Sequence, residues 1–191
     1  MDRSLLILDL DETLVYATKQ AKDPGHDFRV LDYFVQKRPH LDEFLDRVFA
    51  WFDVAVWTSS GSSYAAELVP SIFPDPSRLQ FVWDGGRCTI RRDPDANTFY
   101  NIKDLKKVKR RGYDLERVLM IDDTPRKLSR NYGNHLRIRA FEGDAGDREL
   151  SAVLPYLEWL SKQENFRSID KRGWRQWKEP SGQMRKGGQT I

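Results

Sequence analysis

The stretch Leu5-Leu6-Ile7-Leu8-Asp9-Leu10-Asp11-Glu12-Thr13 decides the fold. Four consecutive apolar residues read as a strand buried on both faces, as in a parallel sheet. Acids at the carboxyl end of such a strand stand where open α/β sheets bind their ligands. Asp9 and Asp11, two positions apart, can both address one ligand if the chain stays extended through Leu10. Two acids that close repel each other unless a cation sits between them. The pattern therefore points to a hard divalent metal such as Mg²⁺, and to a carboxylate free to attack an electrophile.

Outward from that stretch, two more apolar runs end in polar groups. Val54-Ala55-Val56-Trp57 leads into Thr58-Ser59-Ser60-Gly61, and Val118-Leu119-Met120-Ile121 leads into Asp122-Asp123. Leu136 to Phe141 is a candidate fourth strand. His40 to Trp51 carries Leu41, Phe44, Leu45, Val48 and Phe49 at the spacing of an amphipathic helix. A second helix is predicted from about Ser63 to Val69, stopped by Pro70. Phe81-Val82-Trp83 and Cys88-Thr89-Ile90 are strand-like. Lys103 to Arg111 reads as a basic helix opened by Lys103 and closed by Gly112, and Asp147 to Gln163 as a terminal helix. Short strands near Val15-Tyr16, Phe28-Arg29-Val30 and Tyr33-Phe34-Val35, with a turn at Asp23-Pro24-Gly25, form a small flap. The alternation predicts an α/β fold: a Rossmann-like three-layer sandwich with a central parallel sheet, a small β-hairpin flap and no large cap domain.

The chain has 191 residues, enough for one domain with a full core. Its net charge of +3 is unevenly placed, because residues 164–191 hold seven Lys/Arg against three acids. This divides the chain into a body, 1–163, and a basic C-terminal tail, 164–191. Phe166, Trp174 and Trp177 within that tail are expected to pack back on the body, and Pro180–Ile191 to be flexible. Cys88 is the only cysteine, which excludes an internal disulfide. The first apolar run is broken by Asp9, too early for a signal peptide or a membrane span, so the expectation is an intracellular protein, cytoplasmic or nuclear, without a membrane partner. His26, His40 and His135 lack metal-ligand spacing. Oligomeric state is not encoded in any of these patterns.

Parallel strands put their carboxyl ends on one edge, so Asp9/Asp11, Thr58 and Asp122/Asp123 converge there, with Lys103 between the last two. Singly, each has a bland reading: a turn or cap acid, a strand-end hydroxyl, a solvated lysine. Together they supply what phosphoryl transfer through an aspartyl-phosphate needs. A receiver domain also combines these residue types, but with the acid pair on the first strand rather than the last.

At this point the chain resembles the haloacid dehalogenase superfamily, and within it the RNA polymerase II C-terminal-domain phosphatases and NLI-interacting-factor-like phosphatases. The resemblance runs over roughly residues 5–162: Asp9 to Val15 with its D-x-D-x-T, Lys37 to Leu45, Trp57 to Ser60, Tyr64-Ala65, Asn101 to Leu105, Arg117 to Pro125, and Leu154 to Leu157. It implies that Asp9 is the nucleophile. Asp11 would protonate the leaving oxygen and then activate water, its backbone carbonyl meeting Mg²⁺. Thr58 and Lys103 would be catalytic and hold the phosphoryl group, with Ser59 and Tyr64 also binding substrate. Asp9, Asp11, Asp122 and Asp123 would form the metal site, Asp123 being preferred over Asp122 for direct ligation. The implied function is a Mg²⁺-dependent hydrolase of phosphoserine or phosphothreonine in a phosphorylated protein substrate. A nucleic-acid end phosphatase, served by the basic tail and Lys106–Arg111, and a phosphoprotein-binding module without turnover are the alternatives. Arg91–Thr98 looks like an insertion relative to the shortest relatives, and a phosphopeptide-contacting Arg of those relatives falls near Trp83, with Arg87 four residues on.

Overall fold

The computed structural model describes residues 3–20 and 25–179. In chain order the elements are β1 (Leu5–Leu8), β2 (Val15–Thr18), β3 (Phe28–Val30), β4 (Tyr33–Lys37), α1 (Leu41–Trp51), β5 (Asp53–Trp57), α2 (Ser62–Ile72), β6 (Val82–Trp83), β7 (Thr89–Asp93), β8 (Thr98–Ile102), α3 (Lys106–Lys109), β9 (Val118–Asp122), β10 (His135–Arg137) and α4 (Glu149–Ser161). Five strands form a parallel sheet in the order β10-β9-β1-β5-β6.

The apolar run explains itself through that sheet. Leu6 and Leu8 enter one core layer with α1, α2 and α4, while Leu5 and Ile7 enter a second layer with Trp57, Met120 and Val108. Side chains alternate across a strand, so a strand covered on both sides must be apolar at every position. Each central strand then ends where its first polar residue appears. This is the three-layer α/β sandwich that the alternation predicts.

Between β1 and α1 the flap is a three-stranded antiparallel sheet, β2-β4-β3, rather than a simple hairpin. Residues 23 and 24 of the expected Asp23-Pro24-Gly25 turn lie outside the described residues, as does Pro180–Ile191. Arg38, fully buried after β4, clamps this region to the body. Its guanidinium pairs with both oxygens of Asp147 at 2.8 and 2.7 Å and donates to the Thr13 carbonyl at 3.0 Å. The loop carrying the D-x-D-x-T is thereby tied to the loop before α4.

Two helix expectations are corrected and one strand is shortened. Pro70 does not stop α2, which runs to Ile72: one N–H is forfeited, but Leu68, Val69 and Ile72 stay buried. Lys103 does not open a basic helix. It follows β8, and only Lys106–Lys109 are α-helical before Gly112, whose φ of 96° ends the turn. Arg91–Thr98 falls in the outer part of an antiparallel hairpin, β7-β8, which turns through residues 94–97 with Ile90 and Phe99 exposed. Of the possible strand 136–141, only Leu136 and Arg137 pair with β9, joined by His135 before them. Beyond α4, Phe166 and Trp174 are buried in the core, and the Trp174 Nε1 donates to the Arg137 carbonyl at 2.9 Å. Trp177 packs against Tyr156 and Trp159. The tail tryptophans thus return to the body as expected.

Candidate active site

The carboxyl edge of the sheet brings two linked clusters together. In the first, Asp9 is buried and its carboxylate lies between two ammoniums. Lys103 Nζ donates to Oδ1 at 2.8 Å and Lys127 Nζ to Oδ2 at 2.8 Å, while the Leu10 N–H donates to Oδ1 at 2.9 Å. Burial alone would raise the Asp9 pKa, but the two lysines outweigh it and hold the group down at about 2. It is ionised at any pH near neutrality.

Asp122 and Asp123 come to the same place at the end of β9. Lys103, fully buried, donates its second bond to Asp122 Oδ2 at 2.7 Å. Asp122 Oδ1 accepts the Thr124 N–H at 2.9 Å. Burial, and then the charge of Asp9, push the Asp122 carboxyl up to about 7. Asp123 Oδ2 accepts from the Thr124 hydroxyl at 2.8 Å. Its Oδ1 is buried with no hydrogen-bond partner in the structure.

One oxygen from each of Asp9, Asp122 and Asp123 falls within 4.8 Å of the others. Three hard carboxylate oxygens this close together, in a cluster where Asp123 Oδ1 is buried without a hydrogen bond and lies 3.7 Å from the Lys127 ammonium, suit a hard divalent cation. Mg²⁺ therefore fits this donor set. Three carboxyl groups face two ammoniums here, so the cluster is net negative whenever Asp122 is ionised.

In the second cluster Asp11 turns away from the lysines. Its Oδ2 accepts from the Ser60 hydroxyl at 2.6 Å and lies 3.5 Å from Thr58 Oγ1; its Oδ1 accepts from the Tyr64 hydroxyl at 2.7 Å. The separation has a backbone cause. Glu12 adopts a left-handed φ of 61°, and the Leu14 N–H closes on the Leu10 carbonyl at 2.7 Å, so the chain coils immediately after Asp11. Of the sequence-predicted metal set, then, the Asp11 carboxylate is the member that the structure keeps apart from the other three. Burial and the neighbouring Asp11 charge hold the Tyr64 hydroxyl well above the usual phenol range, as a proton donor. Tyr64 also meets Tyr33 of the flap edge-to-face, at 5.4 Å between ring centres.

Thr58 is buried at the end of β5, and its Oγ1 accepts the Ser60 N–H at 3.0 Å. Ser59 Oγ lies beside Cys88, 4.0 Å from its sulfur, rather than on Asp11. Gly85 lets the next loop approach: a Cβ there would sit 2.5 Å from the Ser59 carbonyl oxygen.

Two participants are not singled out by the sequence, Ser60 and Lys127. Lys127 sits in the 3₁₀ turn Pro125–Leu128, and its backbone carbonyl accepts the Lys103 N–H at 2.7 Å. A usable signal exists: a Pro beginning a helical turn right after the acid pair, with a lysine four residues beyond Asp123.

Residues 4–167 match the NLI interacting factor-like phosphatase family. The chain is 32% identical over 191 residues to the Drosophila melanogaster CTD nuclear envelope phosphatase 1 homolog, covering 88% of this chain and 72% of that one. It is 30% identical over 176 residues to the human carboxy-terminal domain RNA polymerase II polypeptide A small phosphatase 1, covering 88% of this chain and 63% of the relative. Among solved structures, fission yeast RNA polymerase II CTD phosphatase Fcp1 bound to beryllium fluoride superposes with a TM-score of 0.55 at 20% identity, over 83% of this chain and 50% of the other. That similarity shows a shared fold.

Proposed function

The chain belongs to the NLI interacting factor-like phosphatase family, within the haloacid dehalogenase fold, and from this premise we propose a Mg²⁺-dependent phosphatase that works through an aspartyl-phosphate on Asp9. The observation that carries the reading is the environment of Asp9: a buried, fully ionised carboxylate tethered by Lys103 and Lys127 beside two further acids.

Lys103 is fixed, since it also holds Asp122 and is wholly buried. Lys127 is one-fifth exposed and carries four flexible methylenes. Asp9 Oδ2, on the Lys127 side, is therefore the oxygen that attacks phosphorus. As the Asp9–phosphorus bond forms, the ester P–O bond breaks and the leaving serine or threonine oxygen takes the proton that Asp11 carries in its acid form, the form in which the step begins. A water then attacks phosphorus and gives its proton to Asp11. The Asp9–phosphorus bond breaks and phosphate leaves. Lys103, Lys127 and the Thr58 hydroxyl offer donors to the phosphoryl oxygens, and Ser60 and Tyr64 orient Asp11. Asp9, Asp122 and Asp123 would hold Mg²⁺, with the Asp11 carbonyl as the family resemblance implies; bound there, the ion offsets the charge of the carboxylates and the phosphoryl group.

The architecture and the relatives support one substrate class. The flap is only three short strands, and the relatives' names describe phosphatases of a polymerase C-terminal domain or of the nuclear envelope. A phosphoserine or phosphothreonine in a protein is accordingly the proposed substrate. Hydrolysis of an aryl phosphate, phosphopeptides and 5′-phosphorylated oligonucleotides, each with Mg²⁺ and with chelator, tests this. Mg²⁺-dependent turnover of phosphopeptides above oligonucleotides is expected. Oligonucleotide turnover that dominates and falls steeply with salt would assign an end phosphatase instead, and no hydrolysis at all would assign a binding module.

A further inference from the structure

A cavity of about 550 Å³ opens along β10, the strand next to β9. One wall is Pro125, two residues beyond Asp123, together with His135 and Arg137 of β10; the other is the loop Arg167–Arg172. The two walls are in close contact, since a Cβ at Gly133 would stand 3.3 Å from the Arg167 carbonyl oxygen. The cavity adjoins the active site through His135, whose Nε2 lies 2.8 Å from the Asp122 carbonyl, and through Arg137, which stands opposite Asp122 in the β9–β10 register.

Its charge is one-sided. Asp170 is the one acid of the lining, and it is satisfied by Arg172, with Nη2 to Oδ2 at 2.6 Å. Lys171 is turned inward, donating to the carbonyls of Phe166 and, at 2.8 Å, Ile169. That leaves the guanidiniums of Arg137 and Arg167. Neither is paired with a carboxylate among the described residues, and both are exposed. Tyr132, 84% exposed, adds an aromatic ring at the rim. Two exposed arginines that line one cavity without a carboxylate partner are suited to a phosphoryl or carboxylate group, which each can bind with two parallel hydrogen bonds. Another cavity, of about 410 Å³, lies at the amino end of the strands against Leu5 and Asp53, away from Asp122 and Asp123.

We propose that the Arg137–Arg167 cavity is an anion subsite that binds a second acidic side chain, phosphorylated or carboxylate, of the phosphoprotein whose reacting phosphoryl group meets Asp9. This deepens the phosphoprotein reading and rests on it. The first part of the basic C-terminal segment then has a role in recognition, because residues 167–172 build a wall of the substrate site. The enzyme accordingly favours segments that carry several phosphates or flanking acids.

The test compares the wild type with the double variant Arg137→Gln/Arg167→Gln, full length and with Mg²⁺. Substrates are p-nitrophenyl phosphate, a singly phosphorylated peptide, and peptides with a second phosphoserine, a glutamate or a neutral serine at increasing distances from the first. The wild type is expected to favour the anionic peptides by about tenfold in kcat/KM, mostly through KM, as one charge-assisted contact supplies. The variant should lose that preference while its aryl phosphate turnover and melting stay unchanged. Peptide turnover blind to the second anion, or a preference that survives in the variant, overturns the subsite alone. Aryl phosphate turnover without any phosphopeptide turnover overturns the phosphoprotein reading and the subsite with it.

Discussion

Replacing Lys127 with Met removes one of the two ammoniums on Asp9 while keeping the aliphatic stem. In the wild type Nζ lies 2.8 Å from Asp9 Oδ2, 3.6 Å from Asp122 and 3.7 Å from Asp123. Burial would lower the Lys127 pKa, yet Asp9 and Asp122 raise it, so the charge is present throughout the usual pH range. Breaking a buried pair by deleting one partner costs about 3–5 kcal/mol. Here Lys127 is one-fifth exposed and Asp9 keeps Lys103 and the Leu10 N–H, so the expected loss is nearer about 2 kcal/mol. For a domain of this size that lowers the melting temperature by roughly 4–8 °C in chelator. The deletion also leaves three carboxylates facing a single ammonium, which strengthens the attraction for a divalent ion. Mg²⁺ should therefore raise the melting temperature of Lys127→Met more than that of the wild type. Paired thermal melts with chelator and over a Mg²⁺ titration measure both effects. A variant as stable as the wild type in chelator, or with a smaller Mg²⁺-induced shift, would refute the assigned electrostatics.

The remaining expectations concern the frame around the site. Asp147→Asn, which leaves the buried Arg38 guanidinium without its carboxylate, should cost about 3 kcal/mol in urea unfolding, and Arg38→Met a similar amount; a loss below about 1 kcal/mol in both would show that the clamp between the Thr13 loop and α4 is dispensable. Gly85→Ala forces a Cβ against the Ser59 carbonyl and should displace Thr58 and Ser60, lowering kcat/KM by about 10²-fold with a modest stability loss; unchanged kinetics would mean that this loop does not set the geometry of Asp11. Lys171 should impose a pH dependence on stability. Burial lowers its pKa to about 8 from 10.5, so between those values the unfolded chain binds more protons than the native one and the native state gains stability as pH rises. The stability of wild type relative to Lys171→Met should accordingly increase from pH 8 to pH 10.5 in denaturant titrations, and a difference that falls over that range would contradict the assigned burial.

The parts of the fold that sequence made legible are those buried on both faces. Leu5–Leu8, Asp53–Trp57 and Val118–Asp122 are near-continuous apolar runs because helices or loops cover each side, and their polar ends mark the edge where the acids gather. What escaped was structure held by context. β8 contains Thr98, Phe99 and Tyr100 in an exposed ribbon, where no core face imposes alternation. Lys103 heads a lysine-rich stretch that looks like a solvated helix, yet β8 and the Lys127 carbonyl place it in the interior between Asp9 and Asp122. Pro70 reads as a helix stop, but buried neighbours on either side outweigh one missing hydrogen bond. Lys127 is marked in the sequence only by the Pro that begins its turn and by its spacing of four from Asp123, and the turn geometry is what aims it at Asp9. The split between the Asp11 and Asp9 surroundings has the same origin, a left-handed Glu12 that no residue pattern announces.

Covalent phosphate on Asp9 is the most direct observable. The enzyme is mixed with an aryl phosphate and Mg²⁺, quenched in acid within one turnover, digested, and its peptides weighed. One phosphoryl group on the peptide containing Asp9 in the wild type, absent from Asp9→Asn along with at least about 10³-fold of the turnover, is the expected result. A phosphoryl group found on another residue, or an Asp9→Asn variant that turns over at the wild-type rate, would contradict it.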